Sequence, residues 1–131
     1  MHTLNSYMVF KDDKPFLVGA TPGGDRQIAW NAQVISNVID HGLDPQEAVE
    51  APRWTSTPGT DPANVDDPFV LEIEEGMEPG EIAKLRAKGH EVEVKPAGGY
   101  GGSVKLIMID PETGVRMAGS DPRSDGHAAV I

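Results

Sequence analysis

The sequence predicts an α+β fold in which the strands of an antiparallel sheet are covered by helices. Two observations point there. Apolar runs of strand length and segments of helical period group along the chain in the order β-β-α-α, long loop, β-α-β, β-β, rather than alternating throughout. Clusters of Gly, Pro, Asp and Thr separate the runs at short intervals, with 15 Gly and 11 Pro in 131 residues. That length supports a single core, and no internal domain boundary is evident, so residues 1–131 read as one domain. Aromatic residues make up only 5% of the chain, so the core is expected to be aliphatic.

Tyr7-Met8-Val9-Phe10 and Phe16-Leu17-Val18 flank Lys11-Asp12-Asp13-Lys14, the pattern of a hairpin with a polar turn. Thr21-Pro22-Gly23-Gly24-Asp25 then leads into a helix expected from about Asp25 to His41, with Asp25 as its N-cap. Ile28, Ala32, Ile35, Val38 and Ile39 recur at helical spacing and are expected to form its buried stripe, and Gly42 supplies a left-handed stop. A second helix follows at once. Asp44 caps it, Pro45 suits its first turn, Glu47 completes a capping box, and Pro52 ends it by Ala51.

Thr55 to Pro68 is rich in Thr, Pro, Asp and Gly and reads as one long loop. Phe69–Ile73 reads as a strand, and Pro79 opens a third helix that turns Ile82 and Leu85 inward and ends at Gly89. Glu91–Val94 alternates as a half-buried strand. Ala97–Gly102 is too glycine-rich for regular structure, and no Lys-Ser/Thr follows to make it a phosphate loop. Val104–Ile109 and Val115–Ala118 form a last hairpin around Asp110–Gly114.

Composition narrows the function classes. A net charge of −10 argues against nucleic acid and against anionic membrane surfaces, both of which call for a basic face. Without cysteine there are no disulfides, thiolate metal sites or Cys nucleophile. No apolar run approaches the ~20 residues of a membrane span. The histidines His41, His90 and His127 stand apart, without the i, i+4 spacing of metal ligands, so neither metal nor cofactor is expected.

The Gly23-Gly24 pair carries the chemistry. Consecutive glycines leave backbone N–H groups unshielded just before a helix, where negative charge is favoured, and such donors can stabilise the oxyanion of an acyl transfer. A tight turn is the plainer reading of the pair taken alone. In register with it stand Glu47-Ala48-Val49-Glu50-Ala51-Pro52-Arg53, Ala87-Lys88-Gly89-His90-Glu91-Val92 and Gly119-Ser120-Asp121-Pro122-Arg123. In that order and at those separations, the blocks resemble the C-terminal part of the small subunit of the gamma-glutamyltransferase (gamma-glutamyltranspeptidase) family, along essentially the whole chain.

The resemblance implies an N-terminal-nucleophile hydrolase fold, two sheets sandwiched between helical layers, of which this chain supplies one helical layer and several strands. It implies a self-cleaving precursor whose new N-terminal Thr attacks a gamma-glutamyl carbonyl, with its own amine as base. That Thr is expected upstream of Met1, so the chain carries the hole, Gly23 and Gly24, without the nucleophile and is expected to be inactive alone. His2 and Thr3 fall where many members carry a Ser-Ser pair that contacts the substrate carboxylate. Asp13 and Ala20 replace glycines common in the family. Arg53, Asp121 and Arg123 read as ion pairs and loop anchors.

The partners implied are the upstream small-subunit segment, the large subunit and a gamma-glutamyl small molecule. A homodimer of the isolated chain is expected from the sheet surfaces left open. The alternative function is a non-catalytic subunit or interaction module derived from the same family.

Overall fold

The computed structural model describes residues 3–59, 66–99 and 102–129. The N-terminal hairpin forms where the alternation places it, as β1 (Leu4–Lys11) and β2 (Lys14–Pro22). Asp12 and Asp13 both take positive φ, 50° and 59°, as a two-residue hairpin turn requires. Asp13 thus stands at a position that favours glycine, whereas Ala20 lies in regular strand opposite Ser6 and Lys105. β2 pairs with β6 (Lys105–Ile109) and β6 with β7 (Arg116–Ser120), giving an antiparallel sheet in the order β1-β2-β6-β7.

One face of this sheet meets α1 (Gln27–Ile39) and α2 (Pro45–Glu50). Leu17, Val34, Val38, Ala48, Val49, Val104 and Leu106 form the core between them, with Tyr7, Val9, Phe16, Leu43 and Met108 packed around it. Each fully buried Val or Leu contributes roughly 1.5–3 kcal/mol. On the opposite face Met8, Val18, Ile107 and Ala118 stand in one row across all four strands. Met8 is 50% and Ile107 41% exposed.

The first helix departs from expectation in two ways. It begins with a single 3₁₀ turn, Gly24–Arg26, and Asp25 makes no capping bond. Its buried side carries Gln27, Trp30, Asn31, Val34 and Val38, so of the expected stripe only Val38 is inside. Ile28 and Ile39 are 69% and 51% exposed, with Ala32 also outward and Ile35 half-buried. Spacing alone admitted either side of the helix, and Trp30 with Val34 and Val38 won the core.

α2 follows its local signals closely. Asp44 Oδ1 accepts the N–H groups of Gln46 and Glu47, and Glu47 Oε2 accepts the Asp44 N–H. Gln46 then grips β7 with both ends of its amide, donating to Ser120 O at 3.1 Å and accepting from Ser120 N at 3.0 Å. Arg123, from the segment after β7, donates to the Val49 and Ala51 carbonyls at the C-terminal end of α2.

Residues Pro52–Gly99 form a second compact unit, the first being Met1–Ala51 with Tyr100–Ile131. In the second unit the expected loop is already strand at its start, since Trp54–Thr57 forms β3, paired with β4 (Val70–Glu74). Residues 60–65 of that stretch lie outside the described residues. α3 (Pro79–Ala87) links β4 to β5 (Glu91–Lys95), and this pair runs parallel, a local exception to the antiparallel expectation. A crossover helix is what allows two successive strands to run the same way. Ile82 is buried and Leu85 half-buried. Arg53 is buried, its N–H donating to Glu74 Oε2 at 2.9 Å.

Candidate functional site

β2 ends at Pro22, and the chain reverses through Gly23 and Gly24 into the 3₁₀ turn and α1. Gly23 has φ 143° and ψ 14°, and Gly24 has φ 57°. Both conformations are unfavourable for residues with a Cβ, which is the local reason for the glycine pair. Arg26 N–H donates to Gly23 O at 3.2 Å and Gln27 N–H to Gly24 O, so the two carbonyls are turned into the helix start. Among the described residues no hydrogen bond takes up the N–H of Gly23 or Gly24. A Cβ on Gly24 would meet nothing within 4 Å. Among the described residues the two adjacent donors are thus left without an acceptor, at the end of the β1-β2 pair.

Register brings Thr3 beside them. Leu4 stands opposite Pro22, so the residue before Leu4 and the residue after Pro22 share one end of the β1-β2 pair. Thr3 is exposed there. His2 lies outside the described residues. Below this end, Asn31 Nδ2 donates to Asn5 Oδ1 at 3.0 Å, and Asn5 is paired with the buried Thr21. Gln27 and Asn31, one helical turn apart, are 3% and 5% exposed and add a polar layer between α1 and the strand ends.

Two further residues belong to this turn and were not singled out from the sequence. Trp30, 1% exposed, lies directly beneath Gly23, where a Cβ would stand 2.6 Å from Trp30 Cζ3. Gly102, φ 106°, abuts the same ring edge, and its missing Cβ would also meet Pro22 O at 3.3 Å. Trp30, Val34 and Val38 stand at i, i+4 and i+8, and that spacing was the one signal available for Trp30.

The other charged candidates are structural. Asp121, 1% exposed, accepts Val104 N–H at 2.9 Å and Arg123 N–H at 3.0 Å, and its Oδ1 lies 3.1 Å from Arg123 Nη1. Among the described residues no three His, Asp or Glu side chains converge as metal ligands would. No helix among them is long and apolar enough to cross a membrane.

The family model for gamma-glutamyltranspeptidase matches residues 1–131. The chain is 36% identical over 135 residues to the glutathione hydrolase-like YwrD proenzyme of Bacillus subtilis, covering 99% of this chain and 24% of that protein. It is 36% identical over 128 residues to the glutathione hydrolase proenzyme of Escherichia coli, covering 95% of this chain and 19% of that one. The chain thus spans a quarter or less of the length of these curated relatives and corresponds to part of a larger enzyme in each. Among solved structures, the gamma-glutamyltranspeptidase T380A mutant of Helicobacter pylori superposes with a TM-score of 0.76 at 35% identity, over 95% of this chain and 62% of that one. The shared fold is that of the N-terminal-nucleophile hydrolases, with antiparallel strands covered by helices. A family model matched from the first residue to the last establishes that the chain belongs to the gamma-glutamyltranspeptidase family.

Proposed function

We propose that these 131 residues act as one segment, the C-terminal part of the small subunit of an enzyme that hydrolyses or transfers a gamma-glutamyl or related acyl group. The observation that carries this reading is the glycine turn, where Gly23 and Gly24 offer two N–H groups unpaired among the described residues, beside Thr3. The nucleophile is assigned to an N-terminal Thr in sequence upstream of these residues. Its Oγ adds to the substrate carbonyl carbon while its proton passes to the free α-amine. The carbonyl oxygen becomes an oxyanion and is held by Gly23 and Gly24 N–H. The C–N bond then breaks, and the amine leaves with the proton. Water, or an acceptor amine, next takes the acyl group from the Thr ester. Thr3, with His2 before it, is assigned to the substrate carboxylate.

The open row Met8, Val18, Ile107 and Ala118 supports the assignment of partners. In a sandwich of two sheets this face would lie against strands from the upstream small-subunit segment. Where that segment is missing, two copies of the chain are expected to pair through it.

The test is to produce the 131-residue chain alone and joined to its upstream coding sequence, and to assay each with a gamma-glutamyl anilide. The chain alone should give no turnover, and the longer protein should give it. In the longer protein, Gly23→Ala keeps its N–H but cannot keep φ 143° against Trp30, so the donor is turned away and kcat should fall, by up to the ~10²–10³ typical of a lost oxyanion donor. Turnover by the chain alone, abolished by a change within it, would contradict the assignment of the nucleophile. A longer protein that folds and processes but turns nothing over would leave a non-catalytic module as the reading.

A further inference from the structure

An oxyanion hole works because its donors are fixed before the charge appears. Two consecutive glycines are the least suited residues to be fixed, since neither has a side chain to brace it and glycine is the most permissive backbone unit. Something outside the pair has to hold it. Trp30 Cζ3 lies only 2.6 Å from where the Cβ of Gly23 would be, and the same ring edge lies against Gly102. Gly102 in turn closes on Pro22 O, the carbonyl of the peptide bond that carries the Gly23 N–H. The indole is 1% exposed and belongs to the packed side of α1, one turn from Val34. The helix, the glycine turn and the chain entering β6 therefore meet on one aromatic edge.

We propose that Trp30 and Gly102 are positioning residues that clamp the Gly23-Gly24 turn and fix the direction of its two N–H groups. The inference rests on the reading of that turn as an oxyanion hole. It gives a role to the last part of the 97–102 glycine stretch. Gly102 has to lack a Cβ because the indole edge and the Pro22 carbonyl fill the space. Its φ of 106° disfavours substitution separately. Shortening the indole or adding a Cβ at 102 should release or tilt the Pro22–Gly24 backbone without removing any donor.

The experiment uses the 131-residue chain and, in parallel, the longer protein. In the unaltered chain, nuclear Overhauser effects are expected from the Trp30 ring protons to the Hα atoms of both Gly23 and Gly102. Trp30→Phe and Gly102→Ala should each move the Gly23 and Gly24 amide resonances and speed their hydrogen exchange, while the resonances of β3, β4 and β5 stay in place. In the longer protein both variants should lower kcat by about tenfold or more, below the ceiling for loss of a whole donor, at nearly constant KM. Absence of the ring-to-glycine contacts in the unaltered chain, or unmoved Gly23 and Gly24 resonances in folded variants, would overturn the clamp. Moved resonances with unchanged kcat would uphold the clamp and remove the oxyanion-hole reading on which its catalytic meaning rests.

Discussion

A methyl group added at Gly24 and one added at Gly23 meet different surroundings, and the difference separates backbone strain from steric conflict. At Gly24, with φ 57° and nothing within 4 Å of a Cβ, an alanine bears only the left-handed penalty of about 1–2 kcal/mol. At Gly23 the added Cβ also stands 2.6 Å from Trp30 Cζ3, inside a contact that the buried ring cannot relax. Urea unfolding should therefore show Gly23→Ala losing clearly more stability than Gly24→Ala, and equal losses would argue against the indole lying under the turn. Tyr7 makes a second prediction at this scale. Burial beside Gly19 pushes its phenol from the ordinary 10.0 up to about 12. The folded state thus favours the protonated phenol more than the unfolded state does. Its contribution is complete below pH 10 and is lost as pH rises toward 12. Stability measured from pH 9 to pH 12 should fall, and Tyr7→Phe should reduce the slope of that fall.

At the scale of elements, α2 shows how the motif segments are used. The Glu-Ala-x-x-Ala-Pro-Arg block builds α2 and the Ser-Asp-Pro-Arg block follows β7, and Gln46 and Arg123 tie them together through Ser120, Val49 and Ala51. Asp121 holds Arg123 in place while accepting the Val104 N–H. Removing the Asp121 carboxylate leaves the buried Arg123 guanidinium without its counter-charge and the Val104 and Arg123 amides without their acceptor, so Asp121→Ala should destabilise the chain by about 3–5 kcal/mol. Thermal unfolding would check it, and a loss under 1 kcal/mol would mean that the pair does not anchor α2. This helix was legible in the sequence because its signals are local, with Asp44, Pro45, Glu47 and Pro52 each acting within one turn. The buried face of α1 was not legible in the same way. Ile28, Ile35 and Ile39 make as good a helical stripe as Trp30, Val34 and Val38, and only the sheet decides which is covered. The glycine pair was visible for the same local reason as α2. Trp30 and Gly102 were hidden because their meaning lies in a contact across 72 residues of chain. β3 was missed because Thr55 and Ser56 carry no apolar pattern and become strand by pairing with Glu72 and Leu71.

At the scale of the whole molecule, apolar surface and charge pull in opposite directions. Met8 and Ile107 belong to a row that crosses the whole four-stranded sheet, and Ile28 and Ile39 line the outward side of α1. Contiguous apolar surface of this kind is a driving force for association. The net charge of −10 opposes it, because two copies brought face to face repel. That repulsion reaches roughly 30 Å at 0.01 M salt and about 8 Å at 0.15 M, so added salt weakens the charge term and leaves the apolar term in control. Sedimentation velocity across protein concentration should therefore show self-association of the chain that strengthens from low to physiological salt. Met8→Lys with Ile107→Lys, which adds charge to the row without touching the helix-facing core, should return the chain to monomer at both salt concentrations. The same double change on the longer protein should impair folding or processing, since there the row would face strands of the upstream segment. A chain that stays monomeric at every concentration and salt would show that the sheet face does not need a cover and would sink the pairing proposed for it.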